Sequence, residues 1–279
     1  MPAHDRRGFH GPRARTDGEF NDLWLTCGRA VDSARRLLVH GRAHVGGLIA
    51  KGDRDYATRV DLEIEAEIKA VLAEASPDIP FLGEESGGTL QSGPMWVLDP
   101  VDGTTNFIKG SPLCAISLAL LDGGQPLFGI VDLPLLDERY VARAGAGALL
   151  NGVRLLTTDA TRFDEVVVAF TDFAVADDRD YENPLHVAVL SRVARCALGV
   201  RTHGSAALDL AWLAAGRLGA SIMLSNRAWD VSAGVLLVRE AGGVAFDLDG
   251  SEHDLSSRAT LASVPGLKDQ LIALMPSLA

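Results

Sequence analysis

Residues 96–107 read WVLDPVDGTTNF, an apolar run that delivers Asp99 and Asp102, three positions apart across Pro100, and then a glycine, two threonines and an asparagine. Two further acids are placed the same way: Glu84, with Glu85, ends the run PFLG, and Asp230 lies inside RAWDVSAG. Taken singly, an aspartate in a DG or WD pair caps a turn or a helix. Four acids at the ends of apolar runs in one chain need a stronger cause, because a buried carboxylate costs several kcal/mol unless it is paired or bound to metal. No lysine or arginine stands beside DPVDGTT, so the oxygen-only set suits a hard cation such as Mg²⁺. Gly103, Thr104 and Thr105 add consecutive backbone N–H groups, with no side chain on the first, in a turn able to wrap an anion. A phosphate held there would touch the cations as well.

That combination suits hydrolysis of a phosphate ester. The uncatalysed reaction is among the slowest known, and metal ions supply much of the barrier by activating water, clamping phosphate oxygens and neutralising the leaving alkoxide. No covalent nucleophile is needed. Ser205 in GSAA and Ser232 in VSAG lack the nucleophile-elbow pattern.

The elements that must position these residues are legible in the apolar spacing. Leu23, Cys27, Ala30, Ala34 and Leu37 recur at helical intervals from Phe20 to Val39, and Ile64, Ile68, Val71 and Ala75 do so from Val60 to Ala75. The second helix holds Asp61 in its first turn, where negative charge is tolerated. Strands follow in IPFLGEES and MWVLDP, then a hairpin of CAISLALL and PLFGIVDL about the turn DGGQ, then RYVARAG and a turn at Asn151-Gly152. Beyond a joint near residues 153–164 the rhythm changes to strand EVVVAF, helix 183–198, strand VRTHG, helix 206–215, strand ASIMLS, helix 230–241, strands GVAFDL and ATLASV, and a last helix from Pro265. The reading is α+β followed by α/β. It divides the chain into an N-terminal tail at 1–18, a domain at 19–155 with most of the acids, and a domain at 156–279 with Asp230 and the segment that sets specificity. There is no internal repeat and no low-complexity block.

Bulk properties bound the partners. A chain of 279 residues with 47% hydrophobic content can bury one large core or two small ones. A formal net charge of −11 argues against a nucleic-acid binder, which needs a basic surface to release counterions. The 3 cysteines, Cys27, Cys114 and Cys196, are far apart and without CxxC spacing, which fits a reducing cytoplasm and no zinc site. Arg6-Arg7 is followed by no apolar stretch of the kind an export signal carries, and no run reaches the roughly 18 apolar residues of a membrane span.

DPVDGTTNF, GEES and WDVSAGVLLVREAGG together resemble the three signatures of the inositol monophosphatase family, lithium-sensitive phosphatases dependent on Mg²⁺. Weaker stretches extend the resemblance from about residue 20 to 275: DYATRVD, GIVDLPLLDERYVARAGAGALLNG and RTHGSAA. It implies the layered α-β-α-β-α sandwich of the inositol monophosphatase and fructose-1,6-bisphosphatase type. By the same resemblance Glu84, Asp99, Asp102, Asp230 and the Val101 carbonyl hold two to three Mg²⁺ ions, with Asp99 bridging two and Glu84 serving the first and a looser third. The N–H groups of Gly103 and Thr104, with Thr105 next to them, take the phosphate, and Asp61 and the Thr104 hydroxyl orient and deprotonate a metal-bound water. ALLNG and GSAA would border the substrate, with Ala206 in contact, and the protein would be a homodimer. Inositol 1-phosphate is the leading substrate. Histidinol phosphate, fructose 1,6-bisphosphate, nucleotide phosphates and other sugar phosphates stay open, although DGTTNF leans away from the histidinol enzymes.

One position departs from the pattern. Inositol-specific members carry an acid seven residues before the WD aspartate, where this chain has Met223, and a thioether accepts hydrogen bonds only weakly. The polyol contact is then missing or moved to Asn226 or Arg227. The rival reading of another class is a phospholigand-binding protein without turnover, which would be expected to have lost Asp61, Thr104 or a metal acid; all are present. Other signals carry less. His40 and His44 lack the glutamate of an HExxH site, GAGALLNG follows a hairpin and so is no dinucleotide fingerprint, and Trp229 reads as packing behind Asp230. Lys51 fits either a loop over the site or an ordinary surface.

Overall fold

The computed structural model describes residues 17–42, 48–52, 55–171, 173 and 179–275. Most of the N-terminal tail, residues 1–16, and His44 lie outside them; Asp17 and Gly18 already belong to the first helix.

Five layers alternate. Helices α1 (Asp17–Gly41) and α2 (Arg59–Ala75) lie against each other on one face of a seven-stranded sheet. On α2 the buried stripe is Val60, Ile64, Ile68 and Leu72, with Val71 half-buried and Ala75 exposed. The i, i+4 ridge is the one seated on the sheet, and its next member is the C-cap Ser76, whose hydroxyl accepts from Trp96 Nε1 at 2.9 Å. On α1 the same preference makes Leu38, rather than Leu37, the core residue.

The seven-stranded sheet runs in the order β3 (Phe81–Gly83), β4 (Met95–Asp102), β5 (Ala115–Asp122), β6 (Gln125–Leu133), β7 (Glu138–Arg143), β8 (Gly147–Leu150) and β9 (Val153–Arg154). Only β3 and β4 are parallel; the rest is a meander of hairpins. Gly123 (φ 58°) and Gly124 (φ 76°) turn β5 into β6, both left-handed as a two-residue hairpin requires. Asp132 on β6 is fully buried and accepts from Arg35 Nη1 of α1 at 3.2 Å and from Arg139 Nε of β7 at 2.7 Å, so the helix layer is tied to the sheet by a buried charge as well as by apolar contact.

A second, five-stranded sheet has the order β11 (Gly199–Thr202), β10 (Val167–Phe170), β12 (Ala220–Met223), β14 (Thr260–Ser263) and β13 (Val244–Phe246). β10 is parallel to both β11 and β12, and parallel neighbours need crossovers. The crossovers are α4 (Arg179–Val193) and α5 (Ala206–Ala214), while α6 (Ala228–Glu240) leads from β12 to β13. α5 and α6 pack together between the sheets, and α4 packs with α7 (Lys268–Leu274) as the outer layer. Helix starts at the carboxyl ends of β11 and β12 are the usual place for a ligand in such a sheet. None of the described helices is long and apolar enough to cross a membrane.

The layered sandwich is the expected one; the boundaries differ. The helix expected over 183–198 runs Arg179–Val193, because the N–H of Leu198 is taken by the carbonyls of Phe163 and Val166. The pair β1 (Ile49–Gly52) and β2 (Asp55–Ala57), and the short α3 (Thr104–Ile108), were not signalled by apolar periodicity, since all four residues of β1 are exposed and α3 buries only Phe107.

α6 approaches the large sheet so closely at Gly129 that a Cβ there would stand 2.9 Å from the Ala233 carbonyl oxygen. Gly129→Ala is expected to destabilise the protein by about 1–3 kcal/mol, seen as a lower urea midpoint at unchanged m-value.

Candidate active site

In a regular strand Asp99 and Asp102, an odd number of residues apart, would face opposite sides of the sheet. β4 starts regularly: Met95 and Val97 enter the core between the sheets, Trp96 and Leu98 the core under α1 and α2. The register then slips. Asp99 is opposite Ser117 and Asp102 opposite Ala115, a step of three on β4 against a step of two on β5. This β-bulge contains Pro100, which has no N–H to give the ladder, and it returns Asp102 to the face of Asp99. That face looks at the start of α6, where Asp230 stands in the first turn.

The oxygens of Asp99, Asp102 and Asp230 lie within 4.8 Å of one another. Asp99 is held well above the usual carboxylate range by burial first and then by the charges of Glu84, Asp102 and Asp230. Burial and the charges of Asp102 and Glu84 also push Asp230 well up, against a smaller opposing pull from Arg227 and Lys51. Asp102 is pushed up to about 7 by burial, although Ser205, Ala207 and Ala206 lower it by hydrogen bonding. Among the described residues no lysine or arginine makes an ion pair with any of the three. An oxygen-only set, with Asp99 and Asp102 buried and Asp230 half-buried, and with this unmet demand for positive charge, fits a hard divalent cation.

Glu84 stands beside the cluster, close enough for its charge to raise the pKa of Asp99. Its Oε1 accepts from Lys51 Nζ at 2.7 Å, and Glu85 accepts from the same ammonium at 2.9 Å. Lys51 on β1 therefore reaches over the acids and is no ordinary surface lysine.

Asp61 is fully buried at the start of α2. Its Oδ2 accepts from the N–H of Thr58 at 3.0 Å and from the Thr58 hydroxyl, while the Thr58 side chain accepts from Val60 N–H at 3.2 Å. This is a capping box, and the spelling T-x-x-D before an apolar stripe was its sequence signal. Burial raises the Asp61 pKa, opposed by the Thr58 bonds. Asp61 Oδ1 faces the Thr104 hydroxyl at 3.2 Å, and that hydroxyl also lies 3.0 Å from the Val101 carbonyl oxygen. Gly103 has φ 90°, and a Cβ on it would come within 2.9 Å of the Leu113 carbonyl and 3.0 Å of the Gly204 carbonyl, so glycine is required on two counts. It starts α3, where the N–H groups of Thr104 and Thr105 have no intrahelical acceptor.

The second half of the chain is laced onto this turn. Asn106 Nδ2 donates to the carbonyls of His203 at 2.6 Å and Leu113 at 2.8 Å. Asp102 accepts from Ser205 Oγ at 2.6 Å, Ala207 N–H at 2.7 Å and Ala206 N–H at 3.3 Å, so it caps α5. Ala206 is thus at the site, with its N–H directed to Asp102. Ser205 and Asn106 are the participants that motif reading passed over, because their partners lie about a hundred residues away.

Other expected contacts are not brought there. Met223 is 1% exposed in the main core, because all four residues of β12 are buried, so it offers a ligand no surface. Asn226 is consumed by the carbonyls of Asp254 at 2.9 Å and Ser257 at 2.8 Å. Arg227, by contrast, is at the rim of the site: it is exposed just before α6 and near enough to Asp230 for its charge to lower the Asp230 pKa. Leu149 and Asn151 of ALLNG line a separate cleft of about 460 Å³ with Asp32, Arg35, Asp137 and Arg139. The glycine loop before them gives the N–H groups of Gly145 and Gly147 to the Glu240 carboxylate, both at 2.7 Å, and so binds a side chain of α6. Trp229 packs against the core as expected, with its buried Nε1 unmatched by an acceptor among the described residues. Ser232 donates to the Ala228 carbonyl at 2.6 Å within its own helix, and His40 Nδ1 is 2.6 Å from the Arg36 carbonyl.

Mutual repulsion among the acids should burden the metal-free protein. Asp99→Asn is expected to raise the thermal midpoint in chelator and to remove most of the rise that divalent cation gives the wild type, both read by calorimetry.

Comparison with known proteins agrees with this geometry. The sequence profile of the inositol monophosphatase family matches residues 21–278. The chain is 38% identical over 249 residues to a probable inositol 1-monophosphatase, ImpA, of Mycobacterium tuberculosis, covering 89% of this chain and 92% of that protein. Its fold superposes on the extragenic suppressor protein SuhB of Bartonella henselae with a TM-score of 0.84 at 30% identity, covering 94% of this chain and 100% of that one. For the inositol monophosphatase of Thermotoga maritima the TM-score is 0.81 at 28% identity, with 91% and 96% covered. The acid cluster, the capped aspartate and the glycine turn all occur in a chain matched almost end to end, and it belongs to the inositol monophosphatase family as a phosphomonoesterase of that type.

Proposed function

We propose that the protein hydrolyses inositol 1-phosphate, or a closely similar phosphorylated polyol, with two to three Mg²⁺ ions held by Glu84, Asp99, Asp102, Asp230 and the Val101 carbonyl. The observation that carries this reading is the Thr104 hydroxyl, placed between buried Asp61 and the Val101 carbonyl at the edge of the acid cluster. When bound, the ions would supply Lewis-acid activation and neutralise charge on the phosphate and leaving oxygens. The chain's own residues do the rest. With its proton directed to Asp61, the Thr104 hydroxyl keeps lone pairs to accept a hydrogen bond from the attacking water; as the water oxygen bonds to phosphorus and the ester bond breaks, the water proton passes to Thr104 and the Thr104 proton to Asp61, while the alcohol oxygen leaves as an alkoxide whose charge the ions would neutralise. The N–H groups of Gly103, Thr104 and Thr105 hold the phosphate oxygens, and Ala206 and Arg227 border the alcohol. The domain at 19–155 then provides most of the chemistry and the domain at 156–279 provides Asp230 and selectivity. We place the protein in the cytoplasm as a lithium-sensitive homodimer acting on a small metabolite rather than on nucleic acid, in keeping with its net charge of −11.

Asp61→Asn should lower kcat by about 100-fold or more, the scale of a lost general base, while metal and inorganic phosphate bind as in the wild type. Phosphate release from inositol 1-phosphate, histidinol phosphate, fructose 1,6-bisphosphate and nucleotide monophosphates, each with Mg²⁺, identifies the alcohol; inositol 1-phosphate is expected to give the highest kcat/KM. Li⁺ should inhibit that activity, and activity unchanged by Li⁺ would count against the proposed ion set.

A further inference from the structure

Glu84 leaves β3 on a turn whose backbone is tied at several points. Its own N–H donates to the Leu98 carbonyl, next to Asp99, at 3.1 Å. Gly83 and Gly87 exchange N–H···O bonds of 3.2 and 3.0 Å, which closes the turn on itself. Between them, the N–H of Glu85 donates to Glu65 Oε2 at 2.9 Å and the N–H of Ser86 to Glu65 Oε1 at 2.6 Å. Glu65 lies one helical turn beyond Asp61 on α2 and is 3% exposed. The seat is tight: a Cβ on Gly83 would stand 2.3 Å from Glu65 Oε2, which explains the glycine of GEES. The nearby ammonium groups go elsewhere, Lys51 to Glu84 and Glu85 and Lys69 to Ser86 Oγ, so among the described residues Glu65 is matched by the two amides. Two charge-assisted bonds from consecutive amides define both the position and the rotation of a turn.

We propose that Glu65 is a positioning residue for the metal centre: its carboxylate holds the Glu84–Ser86 turn so that the Glu84 side chain stands beside Asp99. This rests on Glu84 being a metal ligand. α2 then carries two acids with separate tasks one turn apart, Asp61 toward Thr104 and Glu65 toward the turn of Glu84. A glutamine at 65 would keep the shape but turn an NH₂ group toward one of the two amides, where an acceptor is needed.

The test is a calorimetric titration of Mn²⁺ into metal-stripped wild type, Glu65→Gln, Glu84→Gln and the double variant, with the Mg²⁺ dependence of activity measured alongside. Loss of an outer partner of a ligand typically weakens metal binding 10–100-fold, so Glu65→Gln is expected to weaken it by about tenfold or more and to raise the Mg²⁺ concentration for half-maximal rate more than it lowers kcat at saturating metal. If Glu65 acts through Glu84, the double variant binds no more weakly than Glu84→Gln alone. Wild-type binding by Glu65→Gln, or losses that add in the double variant, would overturn the proposal while leaving Glu84 a ligand. Wild-type binding by Glu84→Gln would remove the ligand assignment and this proposal with it. Should Glu65→Gln fail to fold, Gly83→Ala displaces the same carboxylate without changing an acid; it is expected to weaken Mn²⁺ binding comparably, and wild-type binding by the folded variant would overturn the proposal equally.

Discussion

Carboxylates gathered away from water repel one another, and at this site no basic side chain pairs with Asp99, Asp102 or Asp230 among the described residues. Left alone, such a cluster would push apart or take up protons. It persists because each acid is anchored by a different part of the fold. Asp99 sits within a fully buried strand, Asp102 is returned to the same face at its end by a bulge and grasped by α5, and Asp230 is carried in by α6. The packed core supplies the stability against which this repulsion is set. Demand for positive charge is thereby built into the site before any ligand arrives.

Backbone chemistry distributes the supports. Asp102 takes amide protons from the start of α5, Asp61 from the start of α2, and Glu65 from the turn after β3. In each case a carboxylate is held by N–H groups that secondary structure leaves unused, which keeps basic side chains away from the reactive acids. Lys51 is the exception. It comes from the two-stranded β1–β2 pair and bonds to Glu84, on the side of the cluster where the seven-stranded sheet ends in β3.

The glycines mark where main chains pass almost in contact. Gly103 is pressed between the Leu113 and Gly204 carbonyls, Gly83 against the Glu65 carboxylate, and Gly129 against α6. These are the seams between the first and second halves of the chain and between α2 and the sheet. A methyl group at any of them would move an acid, the Gly103–Thr104 turn or the helix that carries Asp230.

Much of the site was legible in the chain itself. DPVDGTT, GEES and WDVSAG announce their acids because carboxylates after apolar runs need a cation, and the helical and strand spacings that deliver them are local properties of a few consecutive residues. Asp61 and its capping box are local too. What the tertiary structure alone decided depends on residues far apart in sequence. The bulge that puts Asp99 and Asp102 on one face is defined by pairing with β5, the clasp of Asp102 by Ser205 and Ala207 spans a hundred residues, and the seating of Met223 in the core follows from β12 lying between β10 and β14. Spacing along a chain specifies which way neighbouring side chains point. Which distant amide or hydroxyl meets them is settled only when the layers close, because hydrogen bonds and burial act through space.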